Sequence, residues 1–501
     1  MAIPKVCGIE TEYGIHVTGG DPNPIAASSL LINAYVQEVA RQQTGWDFED
    51  ESPGNDARGV AMEGAMPPLV ETNLVNTVLT DGARFYVDHA HPEFSTPECA
   101  DALECVLYDR AGDLVLRRAM EAADRLVTDG RRLVIYKNNS DGKGNSYGAH
   151  ENYLMDRATP FHRVVAAVTP HFVTRQLFTG AGKVGLELPS DPFYPDHGPV
   201  DFQLSQRAEF FEEEVGLETT LKRPIVNTRD EPHADATRYR RLHVIVGDAN
   251  LSDVATLLKV GTTSLVLAMV EDDVTGPRTL ALAQPVRSMH QVSMDRTLRQ
   301  PLELVDGSTA TALDIQWELF GLARKYAEDR GLACLVDEAV GFEVLRRWEE
   351  ILHGLETDPM SLARQLDWVA KLALLEAYRE RHGCDWSDPR LAAVDLQYHD
   401  LRPSRSLFAR LDTERLVTDD QVAAAVDTPP RRTRAWFRGQ CLLRWPASVV
   451  SANWDSMVFD LGTDPLRRVP MMDPLRGTAE HVDALLDECT GPAELLERLS
   501  R

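Results

Sequence analysis

The chain has 501 residues, of which 43% are hydrophobic and 26% charged, and it carries a formal net charge of -26. This composition suits a globular protein with one large core and a smaller domain, or with two or three domains of ordinary size, and the acidity argues against nonspecific nucleic-acid binding, which needs a basic footprint. With no run of about 20 apolar residues and no basic-then-apolar leader, the expectation is a cytoplasmic protein without membrane contact.

The first strand is expected in Val6-Cys-Gly-Ile-Glu-Thr-Glu-Tyr-Gly14. Alternation along a strand points Glu10 and Glu12 from one face, with Cα atoms about 7 Å apart. Two carboxylates so placed raise each other's pKa unless a cation, a metal or an arginine such as Arg84 or Arg241, sits with them. Ser28 to Gln43 reads as a helix through Leu31, Ile32, Tyr35 and Val39. From Thr44 to Asn73 no period is sustained, which suggests a loop insertion and a lid over the neighbouring strands. A second polar strand follows, with Arg84, Tyr86 and Asp88 alternating before His91-Pro-Glu93.

Ala102 to Val127 reads as a long amphipathic helix, Arg132 to Lys137 as a strand, and Thr159 to Thr179 as a helix. Further strands are expected at Gln203 to Phe210 and at Arg241 to Val246, where Arg241 and His243 share a face. Beyond Ser252 the pattern is mainly helical, up to a Pro/Arg-rich break at Thr428-Pro-Pro-Arg-Arg432 that marks a domain boundary. The seven scattered cysteines hold no C-x-x-C pair and read as reduced core residues.

Glu10, Glu12, Tyr86, Asp88, Glu93 and Glu98, with His150, Glu151 and His243, form an oxygen-rich ligand set suited to Mg²⁺ or Mn²⁺ rather than zinc. Such ions point to phosphate chemistry, in which two of them about 4 Å apart neutralise a nucleotide. His243 reads either as a ligand or as a satisfied core histidine, and Trp454 either as a base-stacking or as a core tryptophan. Gly180-Ala-Gly-Lys-Val-Gly185 lacks the Lys-Ser/Thr ending of a phosphate loop and reads as a helix C-terminus. His150-Glu-Asn-Tyr-Leu154 lacks the second histidine of a zinc-protease motif.

Taken jointly, Gly8-Ile-Glu-Thr-Glu-Tyr-Gly14, Asp81-Gly-Ala-Arg-Phe-Tyr-Val-Asp88, Ser146-Tyr-Gly-Ala-His-Glu-Asn-Tyr153, Thr228-Arg-Asp-Glu-Pro-His233, Arg240-Arg-Leu-His-Val-Ile-Val-Gly-Asp-Ala-Asn250 and Asn453-Trp-Asp-Ser456 resemble the Pup ligase and depupylase family, end to end. That family is related to glutamine synthetase. The resemblance implies an α+β fold in which a curved antiparallel sheet, packed with helices, cradles ATP and two or more Mg²⁺ ions. Residues 1–428 would form the catalytic domain, with 44–73 a flexible insertion, and 429–501 a small C-terminal domain.

The spacing in Val87-Asp-His-Ala-His-Pro-Glu93 and the insertion before Asn73 resemble the branch that deamidates the C-terminal glutamine of Pup and cleaves Pup from lysines. Ile9 and Thr11 look slightly more like the ligase branch, the alternative; a non-catalytic Pup-binding adaptor is a further one. The resemblance implies Asp88 as the catalytic residue, Glu10, Glu12, Tyr86, Glu93, His150 and His243 as metal ligands, and Arg84, Thr96, Asn152 and Trp454 at the nucleotide. The expected partners are Pup, free and conjugated, and pupylated proteins. An acidic enzyme needs local arginines to bind acidic Pup, and Arg207, Arg229 and Arg240 are the candidates, with Arg223 and Arg238 beside them.

Overall fold

The computed structural model describes residues 1–20, 23–40, 44–49, 51–59, 75–128, 130–188, 191–274, 280–462 and 465–500. Its frame is one curled sheet of ten strands. In chain order these are β1 (Cys7–Glu12), β2 (Thr44–Trp46), β3 (Asn76–Val78), β4 (Arg84–Asp88), β5 (His91–Ser95), β6 (Ala149–Asp156), β7 (Tyr239–Val244), β8 (Val449–Ala452), β9 (Ser456–Phe459) and β10 (Arg467–Pro470). Across the sheet they lie in the order β7, β6, β1, β5, β4, β3, β2, β8, β9, β10. Every pairing is antiparallel except that of β2 with β8.

Parity along the strands separates two chemistries. Ile9, Phe85, Val87, Phe94, Tyr153 and Leu242 are buried in the main core, which contains helices α1 (Pro24–Tyr35), α2 (Ala102–Leu126), α3 (Phe161–Thr174) and α4 (Asp253–Glu271). Asp101 caps α2 by accepting hydrogen bonds from the Leu103 and Glu104 amides, both at 2.9 Å. Gly112 lets α2 lie close on the sheet, since a Cβ there would stand 2.5 Å from the Phe94 ring. The helix α4 is apolar and long enough to cross a membrane, but it is wholly buried in this core.

Most expected elements form within a few residues of their reading, and the two departures have physical causes. Thr44–Trp46 is a strand of the main sheet rather than the start of a loop, because it supplies the link between β3 and β8; residues 60–74 of the expected lid lie outside the described residues. Gln203 to Phe210 is not a strand. Only Phe202–Gln203 pairs, and Ala208–Phe210 is a 3-10 turn. Its buried polar side chains imitate alternation while bonding inward, as when Ser205 donates to Asp248 at 2.8 Å.

Beyond Arg432 the chain builds a second, small core from Trp436, Phe437, Met457, Phe459 and Leu486, into which Trp46 and Val78 also pack. The strands β8 to β10 of this stretch complete the main sheet. Helix α5 (Ala435–Arg444) is tied to the chain just past β5 by Glu98, which pairs with Arg438 and, at 2.7 Å, with Arg434. Glu98 is expected from the sequence among the metal ligands, but these two guanidinium groups already satisfy it.

Burial alone would push the Glu98 carboxyl up, yet Arg438 and Arg434 hold it down at about 2. Its stabilising contribution is therefore present above the unfolded value of 4.5 and is lost as pH falls through about 2. Replacing Glu98 by Ala strands two buried arginines and should cost roughly 3–5 kcal/mol at pH 7. In denaturant melts, the gap between wild type and Glu98→Gln should narrow on acidification from pH 5 to about pH 2.

Candidate active site

The polar face of the sheet carries the site. Register places Glu12 opposite Glu93 and Glu93 opposite Tyr86, while Glu10 lies between His150 and Ser95. His243 stands opposite Asn152. Five adjacent strands thus bring residues from positions 10 to 243 onto one surface. It lines an open cavity that also meets Asp88, Arg229 and Trp454.

Two groups of potential cation ligands sit there. Ligand atoms of Glu10, His150 and His243 lie within 4.8 Å of one another, and so do those of Glu12, Asp88 and Glu93. The first group is braced: Asn152 Nδ2 donates to Glu10 at 2.8 Å, and Arg241 donates to Asn152 Oδ1 at 2.6 Å. In the second, the Gly148 amide donates to Glu12 at 2.8 Å, and His91 Nδ1 lies 3.1 Å from the other Glu12 oxygen. Glycine at 148 leaves the room these ligand atoms occupy, since a Cβ there would meet the Glu12 and His150 side chains at 2.6 Å and push them aside.

Burial would push both Glu10 and Glu12 up. The bond to His150, with the charges of His243, His150 and Arg241, instead holds Glu10 well below the usual carboxylate range. Likewise His91, His150 and the Gly148 amide hold Glu12 at about 2. For Glu93 only a hydrogen bond from Tyr86 works in that direction, and it does not suffice. Burial first, then the charges of Asp88, Glu12 and Glu10, push its carboxyl well above the ordinary value. A wholly buried carboxylate beside three others is the environment that a hard, oxygen-seeking divalent cation neutralises. The all-carboxylate group of Glu12, Asp88 and Glu93 therefore fits Mg²⁺ or Mn²⁺ better than zinc.

A second, smaller cavity adjoins the first and shares Glu10, His233, Arg241 and Trp454 with it. Thr96 and Asn152, expected at the nucleotide, line this second cavity, and Arg84 lines the first. The Arg84 guanidinium is sandwiched 4.0 Å from the Trp46 ring centroid and 3.9 Å from that of Tyr86, with Nε donating to Asn76 at 3.0 Å. Trp46 is absent from the residues expected here, although its place in Trp46-Asp-Phe48 is a usable signal. Arg241, expected only as a possible partner of the carboxylates, and His91, not expected as a site residue, also belong here; both share strand parity with site residues.

Strand parity corrects other expectations. Glu151, alternating with His150 and Asn152, faces the core, where it pairs with buried Arg175 at 2.7 Å. Arg240 faces the helices as well, donating to the Thr159 carbonyl at 2.7 Å and lying over Phe161. Arg207 is 1% exposed and donates to the Ile245 and Gly247 carbonyls. Neither can meet a protein substrate at the surface. Arg229 does border the cavity, with a buried Nε that finds no acceptor among the described residues. Arg223 donates to the Ser146 carbonyl at 2.8 Å, and Arg238 pairs with Asp473 at 3.1 Å.

A family model described as Pup-ligase protein matches residues 5–458. The chain belongs to the Pup-ligase protein family. Relatives include the depupylase of Acidothermus cellulolyticus, 51% identical with 99% of each chain covered, and the Pup deamidase/depupylase of Mycolicibacterium smegmatis, 48% identical over the same shares. The Pup–protein ligase of Actinosynnema mirum is 42% identical over 82% of this chain and 90% of its own. Among solved structures, the complex of Pup with its ligase PafA aligns with a TM-score of 0.80 at 33% identity, over 99% of this chain and 94% of the ligase. PafA with ADP gives 0.74 at 37% identity, over 82% and 89%. These alignments bear out the expected α+β architecture and its curved sheet.

The raised Glu93 carboxyl holds a proton in the folded state that the unfolded chain releases above about 4.5, so it costs stability progressively as pH rises past that value. That cost grows by about 1.4 kcal/mol per pH unit until the folded carboxyl itself ionises. Glu93→Gln should therefore stabilise the protein in a chelator, and more so at pH 7.5 than at pH 5. Added Mg²⁺ should raise the melting temperature of wild type more than that of the variant. A variant less stable than wild type in chelator at pH 7.5 would contradict the crowding of carboxylates.

Proposed function

We propose that this chain is a Pup deamidase and depupylase, an amidohydrolase that acts on the C-terminal glutamine of Pup and on the isopeptide bond between Pup and protein lysines. The observation that carries this reading is the 51% and 48% identity, over 99% of each chain, to proteins with those activities. The ligases match a smaller share at 42%. The proposed cofactors are ATP and Mg²⁺, in keeping with the ADP named for the PafA structure and with the carboxylate crowding of the site. Free Pup and pupylated proteins are the proposed partners, and the cytoplasm the proposed location, in keeping with seven free cysteines.

In this reading Asp88, at the end of β4 and beside Glu12 and Glu93, either attacks the side-chain carbonyl of the last Pup residue or activates water toward it. Bound Mg²⁺ would supply the positive charge that stabilises an oxyanion at that carbonyl. Glu10, Glu12, Tyr86, Glu93, His150 and His243 would hold the ions. Asn152, Gly148 and His91 keep the carboxylates aimed, and Arg84, Thr96, Asn152 and Trp454 would meet the nucleotide. Arg229, which borders the cavity, would meet a substrate oxygen.

Incubation with Mg-ATP and Pup ending in glutamine should add one dalton to Pup, read by mass spectrometry. Asp88→Asn should keep nucleotide binding and lose turnover by roughly 10³-fold or more. No mass change, together with ADP release and transfer of Pup ending in glutamate to lysines, would make the chain a ligase.

A further inference from the structure

Asp88 pairs with His91 across the hairpin joining β4 to β5, so the turn consists of His89 and Ala90 alone. Of these two, only His89 has a positive φ, at 49°. In two-residue hairpins this is the first-position pattern that glycine ordinarily fills, and positive φ is uncommon for any residue with a side chain, though histidine adopts it more readily than most. The imidazole does not pack into a core, for 56% of its side chain is exposed. Burial does not account for a histidine here, and backbone preference does not select it over glycine, asparagine or aspartate. Its position does: Nδ1 lies 2.8 Å from Asp88 Oδ2, and both residues border the cavity that holds Glu10 and Glu93. Among the described residues, no other group hydrogen-bonds the Asp88 carboxylate.

We propose that His89 is a positioning residue for Asp88, and that the strained turn is retained because it delivers this bond. A carboxylate at the end of a strand can turn about two side-chain torsions. A carboxylate oxygen can only accept, so Nδ1 carries the hydrogen, and the bond fixes one oxygen while leaving the other for the substrate carbonyl. Backbone strain at a reacting group, held by the paired strands on either side, is a known means of setting such geometry. The bond joins adjacent residues, so the orientation of Asp88 is set locally and does not depend on ions binding to the neighbouring carboxylates. The inference rests on the role given above to Asp88.

The test uses the full chain with Mg-ATP and Pup ending in glutamine, comparing wild type with His89→Gly, His89→Asn and Asp88→Asn for kcat, KM and melting temperature. Glycine keeps the positive φ and removes the donor, whereas asparagine tolerates the same backbone and offers an amide N–H where Nδ1 stood. His89→Gly should melt no lower than wild type, keep KM within about twofold and lose kcat roughly 10- to 100-fold, the scale of a misplaced reacting group. His89→Asn should recover kcat to within about threefold of wild type. Wild-type kcat in His89→Gly, with Asp88→Asn inactive, would overturn the positioning role and leave that of Asp88 standing. So would a His89→Asn enzyme as slow as His89→Gly. Full activity in Asp88→Asn would instead remove Asp88 from the mechanism, and the inference with it.

Discussion

The polar face of this sheet is organised by the mutual repulsion of four carboxylates, Glu10, Glu12, Asp88 and Glu93, contributed by three adjacent strands. Each has to be held against burial and against its neighbours. Glu10 leans on His150 and Asn152, and Glu12 on His91 and the Gly148 amide. These braces come from the segment around β6 and from β5, so the order of strands in the sheet is also the order in which charge is neutralised. Only Glu93 is left to carry the excess, and the site draws its appetite for a divalent cation from that imbalance.

The same face depends on the rest of the molecule through a few contacts. The sandwich of Arg84 between Trp46 and Tyr86 joins β4 to β2, and β2 is the strand on which β8 to β10 are hung. Trp46 also meets Trp454 edge to face, with centroids 5.1 Å apart. Glu98, held between Arg434 and Arg438, anchors α5 beside the smaller cavity. The stretch beyond Arg432 is therefore a small core of its own and at the same time one wall of the site. That dual role explains why Trp454 faces both cavities although it lies more than 350 positions from Arg84.

Much of the site was legible in the sequence because strand parity is a local rule. Glu10 with Glu12, Arg84 with Tyr86 and Asp88, and Arg241 with His243 share a face wherever their strands lie, and the joint motifs carried the family. The errors arose where locality fails. Arg240 and Glu151 were grouped with chemistry by proximity in sequence, yet each sits one residue out of phase and faces the helices. Arg207 looked free because nothing local announces that the Ile245 and Gly247 carbonyls will close over it. Thr44 to Trp46 is too short to show periodicity, and only its partners make it a strand.

What the sequence determined by itself is the content of the site: which side chains share a strand face, and an oxygen-rich ligand set whose repulsion demands a cation. Alternation and charge settle those matters within a few residues. The tertiary structure decided which strands are neighbours, and hence that Glu12 faces Glu93, that Glu98 belongs to two arginines, and that His89 turns back on Asp88. Those outcomes depend on register between segments tens to hundreds of residues apart and on one unusual backbone angle, and neither is encoded in the periodicity of any single segment.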